Sequence, residues 1–393
     1  MAESLSRFGI VYFGNDWSAE NRTSSHHVAE RLAQRTRVLY VDTPGLRAPK
    51  ANGRDVRKLS RKLLQAAKAP RQVGKQMWVA TMPQIPFRGL PFAARMNRAL
   101  GRRLVRRALK ALGFDRTISW FVVPHAGPLA RAFGESMVVY YCIDDYAALP
   151  DVDAGAVGRM DADLSKGADQ VFVASALLLE SKRRVSPHAV HAPHGVDVAM
   201  FRTVADPALP LPDSARSLPR PVIGFYGLIE AWIDLDLIAF LAAERPQWTF
   251  LLVGRLAVDP GPLKDLSNVV FAGPQPYVAL PRWAKAFDVA IIPYRPTRQV
   301  INSNPLKLRE YLATGKPVVS VSTPEIDRFA EYVRIAHDRA QFLAHIEDAL
   351  ANDRPADRER RMAAVDSMSW DARIDEVVAV VERRLEAQAL QET

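Results

Sequence analysis

Lys307 and Glu310 stand three residues apart in the run Asn302-Ser303-Asn304-Pro305-Leu306-Lys307-Leu308-Arg309-Glu310-Tyr311-Leu312-Ala313-Thr314-Gly315-Lys316-Pro317. On a helix this spacing puts an ammonium and a carboxylate on one face, where together they can hold a ligand that is both anionic and hydroxylated. The same spacing also makes an ordinary solvated ion pair, and spacing alone leaves both readings open. Asn304 is placed to cap a helix whose first turn holds Pro305, and Gly315 before Lys316-Pro317 ends it ahead of the β-branched run Val318 to Val321. A polar loop, a short helix and a buried strand in one run make a ligand-site junction.

A second group of candidates follows strand-like runs in the first half. Gly14-Asn15-Asp16-Trp17 comes after Ile10 to Phe13, and Arg22-Thr23-Ser24-Ser25-His26-His27 opens the next helix. His125 follows Trp120-Phe121-Val122-Val123-Pro124, and Asp144 with Asp145 follows Tyr140-Tyr141-Cys142-Ile143. His125 or Asp144 could take a proton from an attacking hydroxyl. Helix capping by Ser24 and Asp145, and a satisfied buried histidine at 125, remain open alternatives. There is no G-x-G-x-x-G, so a dehydrogenase-type dinucleotide site lacks its main support. Three Asp-x-Asp pairs occur, Asp151 with Asp153, Asp161 with Asp163 and Asp234 with Asp236, but none directly follows a predicted strand. Two lie on helices, where i,i+2 side chains diverge, and no bound metal is expected. His188, His191 and His194 lack a ligand-like spacing.

At 393 residues and 48% hydrophobic content, the chain exceeds what one core covers, since single cores stop growing at about 250 to 300 residues. Alternating strand and helix patterns predict two doubly wound α/β domains facing each other across a cleft, with ligands at the carboxyl ends of the strands. The predicted division is 1–205, a Pro-rich linker at 206–220, a second domain at 221–370, and a helix at 371–393 packing back on the first domain. The single cysteine, Cys142, excludes an internal disulfide and a cysteine zinc cluster. The start shows no signal-peptide pattern and no window approaches about 18 consecutive apolar residues, so a cytoplasmic protein is expected.

Charge is unevenly placed. Residues 1–110 carry 23 Lys or Arg against 6 Asp or Glu, and 16 of those basic residues lie between 51 and 110 beside the single acid Asp55. Two segments concentrate it, Arg57 to Lys68 and Arg95 to Lys110. In the second, Met96, Leu100, Leu104 and Ala108 recur every four residues and most arginines, Arg102, Arg103, Arg106 and Arg107 among them, project elsewhere. Such a basic amphipathic helix suits an anionic membrane surface, at about 1 kcal/mol per basic residue near the leaflet. A helix packed on the domain with a solvated basic face is the competing reading. Nucleic acid is not the expected partner, because no zinc-finger, RNA-recognition or helix-turn-helix signature accompanies the charge.

The run from Phe287 to Ser320 resembles the donor-binding half of retaining glycosyltransferases of family 4, which have the GT-B fold. Further resemblances are Ala168 to Ser175, His194-Gly195-Val196-Asp197 with Phe201, Val222 to Asp234, and Phe271-Ala272-Gly273-Pro274 with Leu280-Pro281. Together they extend over roughly residues 8 to 390, closest in character to a branch working on bacterial polysaccharides of the teichuronic-acid type. The family run carries two glutamates eight apart; Glu310 matches the second, and Asn302 replaces the first. By this resemblance Glu310 binds ribose hydroxyls, Lys307 and the helix start from Asn304 bind the diphosphate of a nucleotide sugar, and Asn302, Ser303 and Gly227 line the donor site. The family's Arg and Lys after the first donor-domain strand are absent from Leu228 to Asp234, leaving Arg255, Arg295 or Arg298 as substitutes. Asp16, Trp17, Arg22, Ser25, His26 and His125 are expected at the acceptor or cleft side. The resemblance implies a retaining, metal-independent hexosyltransferase of polysaccharide synthesis, acting on a glycan or lipid-linked acceptor; the basic segments are what point to the inner face of the membrane. A nucleotide-sugar epimerase of similar fold and a basic nucleic-acid-binding protein are the alternatives.

Overall fold

Two largely parallel sheets organise the computed structural model, which describes residues 4–19, 22–43, 45–46, 69–82 and 91–391. The chain packs as two units, Met1–Ala19, Thr23–Pro193 and Arg373–Thr393 forming one, and Glu20–Arg22 with His194–Ala372 the other. The first sheet has the order β3-β4-β2-β1-β5-β6-β7-β8. Its strands are β1 (Gly9–Gly14), β2 (Val38–Asp42), β3 (Arg71–Gly74), β4 (Met77–Thr81), β5 (Thr117–Phe121), β6 (Met137–Cys142), β7 (Gln170–Val173) and β8 (Ala189–His191). Strands β1, β2, β5, β6 and β7 are buried at every residue, as continuous apolar runs in a covered parallel sheet must be. The second sheet has the order β11-β10-β9-β12-β13-β14, with β9 (Val222–Tyr226), β10 (Thr249–Val253), β11 (Val269–Gly273), β12 (Val289–Ile292), β13 (Val318–Val321) and β14 (Arg334–Ala336).

In each sheet the strand order reverses beside the first strand of the unit, between β1 and β5 and between β9 and β12. Such switch points open a crevice at the carboxyl ends of the strands. Nine helices matter below: α1 (Ser24–Leu32), α2 (Pro91–Leu112), α3 (Ala154–Gly167), α4 (Ala176–Arg183), α5 (Leu235–Glu244), α6 (Leu280–Ala286), α7 (Leu306–Thr314), α8 (Arg339–Asn352) and α9 (Trp370–Gln391).

Three expectations are altered. The second unit begins at His194, ahead of the Pro-rich segment expected to link the domains. Lys285 of α6 donates to the carbonyls of Asp206, Pro207 and Leu209 at 2.7, 3.0 and 2.7 Å, and Arg282 donates to that of Pro210 at 3.0 Å, so cations fasten a segment whose prolines cannot pair by themselves. Helix α2 turns Ala93, Gly101, Val105, Ala108 and Leu109 inward and leaves Met96 and Leu100 outside. A Cβ on Gly101 would lie 3.0 Å from Met82 Sδ and 3.2 Å from Leu129 Cδ1; the close approach of a side-chain-free residue decides which flank packs. The other basic segment, Arg57 to Lys68, lies outside the described residues. Finally, Asn304 does not cap α7, as its bonds below make clear. Beyond the trunk of each unit, α9 joins the first one through an Arg35–Asp375 ion pair and a 2.8 Å bond from the Leu5 amide to Glu382.

Candidate active site

The second sheet's switch point is where α7 begins. Strand β9 is followed by Gly227 at φ 135° and β10 by Gly254 at φ 147°, backbone conformations that side chains rarely adopt. A Cβ on Gly254 would lie 1.9 Å from Gly227 O, and one on Gly227 would lie 2.2 Å from Lys307 Cε and 2.6 Å from its Nζ. The lysine stem therefore lies along bare backbone at the strand end, with its ammonium 5.5 Å from the centre of the Phe225 ring. Among the described residues no carboxylate comes within the 4.0 Å of an ion pair with it.

Helix α7 starts with Pro305 in the cap position and ends at Gly315 in the left-handed region, φ 74°. Asn304, expected as the cap, is buried and spends its side chain on tertiary bonds. Its Oδ1 accepts from Arg309 Nη1 at 2.8 Å and from the His194 amide at 3.3 Å, while its Nδ2 donates to Glu325 Oε2 at 2.7 Å. His194 Nδ1 donates to the Asn304 carbonyl at 2.8 Å. Burial, reinforced by Arg309 nearby, holds the His194 imidazole neutral, down at about 3 despite that carbonyl's opposing pull. Proline already sets the entry dihedral of the helix, so the Asn304 side chain can satisfy groups that burial would otherwise leave unpaired.

Glu310 is 5% exposed, so the solvated ion-pair reading of the 307/310 spacing does not describe it. Burial pushes its carboxyl up to about 6, against the opposing influence of Lys307 and of the Tyr226 and Tyr277 hydroxyls beside it. Tyr311 pins the helix to β9: its hydroxyl accepts from the Tyr226 amide at 3.0 Å, and the two rings meet edge-on at 4.7 Å. The result is a half-buried ammonium and a buried, proton-poised carboxylate on one helical face at a switch point, against backbone without side chains. That pair suits an anionic, polyhydroxylated ligand.

The remaining second-unit candidates are placed less uniformly. Asn302 ends the short helix Arg298–Asn302 and is half-buried, and Ser303 Oγ donates to the Val300 carbonyl at 2.8 Å. Arg255 is exposed just beyond β10, with its carbonyl accepting from the Ile229 amide at 3.0 Å. Arg295 is committed to Asp236 at 2.8 Å and reaches Asp234 at 3.7 Å. Asp234 in turn caps α5 by accepting from the Leu237 amide at 3.1 Å. Neither carboxylate of this Asp-x-Asp pair is idle.

In the first unit, the ends of the neighbouring strands β1, β5 and β6 bring Asp16 and Trp17, His125 and Asp144 to one sheet edge. Asp16 accepts from the Ser18 amide and hydroxyl at 3.1 and 2.7 Å. His26 is fully buried; its Nδ1 accepts from the Thr23 amide at 3.1 Å, its Nε2 donates to the Asp16 carbonyl at 3.2 Å, and its ring packs 5.5 Å from Trp17. Ser25 is also fully buried, with its carbonyl accepting from Tyr12 at 2.9 Å. Arg22, which groups with the other unit, is half-buried ahead of α1. His125 is half-buried in a turn of 3-10 helix, Pro124–Leu129, and Asp144 Oδ1 accepts from the Asp145 amide at 2.9 Å. Behind this edge, Asp161 of α3 accepts from Tyr140 at 2.5 Å and pairs with Lys182 of α4. Cys142 is buried, and burial pushes its thiol up to about 12.

Sequence reasoning missed His194, Glu325, Tyr226, Tyr277 and Gly254 as parts of the site. Only glycine after a β-rich run, at 254, carried a local signal; the others act through contacts with distant segments.

Residues 220–352 match the family model described as Glycosyl transferases group 1, and that stretch contains Lys307, Glu310 and all of α7. The protein TuaH of Bacillus subtilis, described as a teichuronic acid biosynthesis glycosyltransferase, is 27% identical over 281 residues, covering 65% of this chain and 70% of that protein. Among solved structures, sucrose-phosphate synthase from Thermosynechococcus elongatus superposes with a TM-score of 0.66 at 14% identity, over 98% of this chain and 100% of that one. Anabaena HepE in complex with UDP gives 0.63 at 14% identity, over 96% and 100% of the two chains. By its fold and by the family match that frames Lys307 and Glu310, the chain is an enzyme, a glycosyltransferase of GT-B architecture.

Proposed function

We propose that the enzyme moves a sugar from a nucleotide diphosphate sugar to a glycan or lipid-linked acceptor during synthesis of a cell-surface polysaccharide, with retention of configuration. The observation that carries this reading is the Lys307–Glu310 pair on α7, set against the open backbone of Gly227 at the switch point. Lys307, with the backbone amides at the start of α7, takes the diphosphate, where negative charge grows as the glycosidic bond breaks. Glu310 accepts from ribose hydroxyls. Asn302, Ser303 and Gly227 line the donor site, and His125 or Asp144 receives the acceptor's proton. Lys307 supplies the positive charge without a metal ion, a role supported by the commitment of Asp161, Asp234 and Asp236 to protein partners. The relative's description supports the polysaccharide pathway, and the UDP-bound neighbour supports the donor class. Retention rests on the sequence resemblance. The basic residues of the first unit support a position on the cytoplasmic, anionic face of the membrane; among the described residues no helix is long and apolar enough to cross it.

A thermal-shift panel of nucleotide sugars tests the donor assignment. A true donor at 100 times its dissociation constant stabilises by about 2.7 kcal/mol, and the shift should vanish in Lys307→Ala. No shift with any nucleotide sugar would refute the reading, and turnover of a donor with no acceptor present would point to an epimerase.

A further inference from the structure

The exposed flank of α2 is graded along its length. Phe92 is 73% exposed, and Met96 and Leu100 are 36% and 37% exposed, at successive four-residue steps. They extend about 12 Å along the axis at 1.5 Å per residue. Arg103, Arg107 and Lys110 continue the same flank at three- and four-residue steps, and all three are exposed. Arg95 and Arg102 flank it, and the helix contains no acidic residue. Because Ala93, Gly101, Val105, Ala108 and Leu109 are turned inward, the helix lies flat on its unit and presents this flank along its whole length. Arg106 stands apart, donating to the Ala132 carbonyl at 3.0 Å. A nucleic acid would use the charged half and could stack a base on the Phe92 ring, but it leaves the aliphatic Met96 and Leu100 without a partner. A lipid leaflet matches both halves, an acyl boundary beside anionic headgroups.

We infer that α2 is a two-part membrane-insertion helix, in which Phe92, Met96 and Leu100 enter the acyl boundary of an anionic leaflet while Arg103, Arg107 and Lys110 hold its headgroups. This rests on the membrane association proposed above and adds that the attachment is partly hydrophobic. The test uses the full chain with phosphatidylcholine vesicles, with and without phosphatidylglycerol, in flotation at low and high salt. The triple variant Phe92→Ser, Met96→Ser, Leu100→Ser should bind anionic vesicles on the order of 10²-fold more weakly, and its residual binding should disappear at high salt. The variant Arg102→Gln, Arg103→Gln, Arg107→Gln should also lose on the order of 10²-fold, but keep a salt-resistant remainder. The indole added by Phe92→Trp, read as the difference from the parent spectrum, should shift its emission to the blue on anionic vesicles. If only the arginine variant loses binding and that difference emission stays unmoved, docking is purely electrostatic and insertion is overturned. If the parent does not bind vesicles, or both triple variants bind as it does, the membrane reading falls as well. Preferential binding of single-stranded RNA, unchanged in the serine variant, would assign the flank to nucleic acid and also overturn the inference. An unchanged nucleotide-sugar thermal shift in each variant verifies the fold.

Discussion

The two switch points of this chain have the same topology and different chemistry. At the β9/β12 edge a lysine and a carboxylate are brought together by a short helix, and the polar residues behind them serve to hold that helix: Asn304, His194, Arg309 and Glu325 are joined by bonds of 2.7 to 3.3 Å. At the β1/β5 edge the polar residues hold each other, as in His26 between the Thr23 amide and the Asp16 carbonyl. A polar cluster at a sheet edge is therefore weak evidence of a site until its partners are counted. In the second unit the bonded network lies one step behind Lys307 and Glu310, the arrangement that would preorganise a site there; in the first, Asp16 and His26 are themselves members of the bonded network.

The sharpest way to break the contrast is Asn304→Ala, which leaves Arg309, Glu325 and the His194 amide without this partner. A loss of several kcal/mol in denaturant unfolding is expected from two lost hydrogen bonds to charged groups, at about 1.5 to 3 kcal/mol each; a loss within the range of a surface change would reduce Asn304 to a loop residue. Next comes Lys307→Ala, expected to lower kcat by roughly 10²-fold or more through lost leaving-group stabilisation. Survival of kcat within a few-fold would transfer the role to Arg255. Glu310→Ala should weaken donor binding by about 1.5 to 3 kcal/mol, the value of a hydrogen bond to a charged acceptor, as read by calorimetry.

The same residue sets a pH dependence. Its carboxyl, held up at about 6, accepts most strongly when ionised, so donor affinity should rise as pH increases through about 6 and lose that rise in Glu310→Gln. For the ligand-free fold the sign is opposite: a carboxyl raised above its usual range adds stability at low pH that is lost as pH climbs through about 6. The smallest effect is expected at Arg295→Ala. Its exposed ion pair with Asp236 contributes about 0.2 to 1 kcal/mol, and donor affinity should hold; a large loss of affinity would bring Arg295 into the donor site after all.

The strands were legible because a covered parallel strand needs an unbroken apolar run: Val318–Val321 matches its predicted limits, and the predicted Ile10 to Phe13 lies inside Gly9–Gly14. The edge strand β3 was not. Arg71–Gly74 pairs antiparallel with β4 and is mostly exposed, so its polar sequence carries no burial pattern. The Lys307–Glu310 pair was visible because i,i+3 geometry is local. The role of Asn304 was hidden because its partners His194 and Glu325 lie 110 and 21 residues away, and local capping rules suggest a plausible but different use for it. Helix α2 shows a subtler limit: its sequence holds two apolar rows, and only the fit of Gly101 against Met82 and Leu129 decides which is covered.

Cys142, buried at the end of β6 with its thiol donating to the Asp144 carbonyl at 3.4 Å and pushed up to about 12, has a practical consequence. As the sole cysteine of the sequence, it leaves thiol-reactive dyes and spin labels almost nothing to attack near neutral pH. A cysteine introduced at position 96 or 100 would then carry the label alone, and fluorescence quenching or electron paramagnetic resonance could report the depth of α2 in a bilayer from an otherwise unaltered chain.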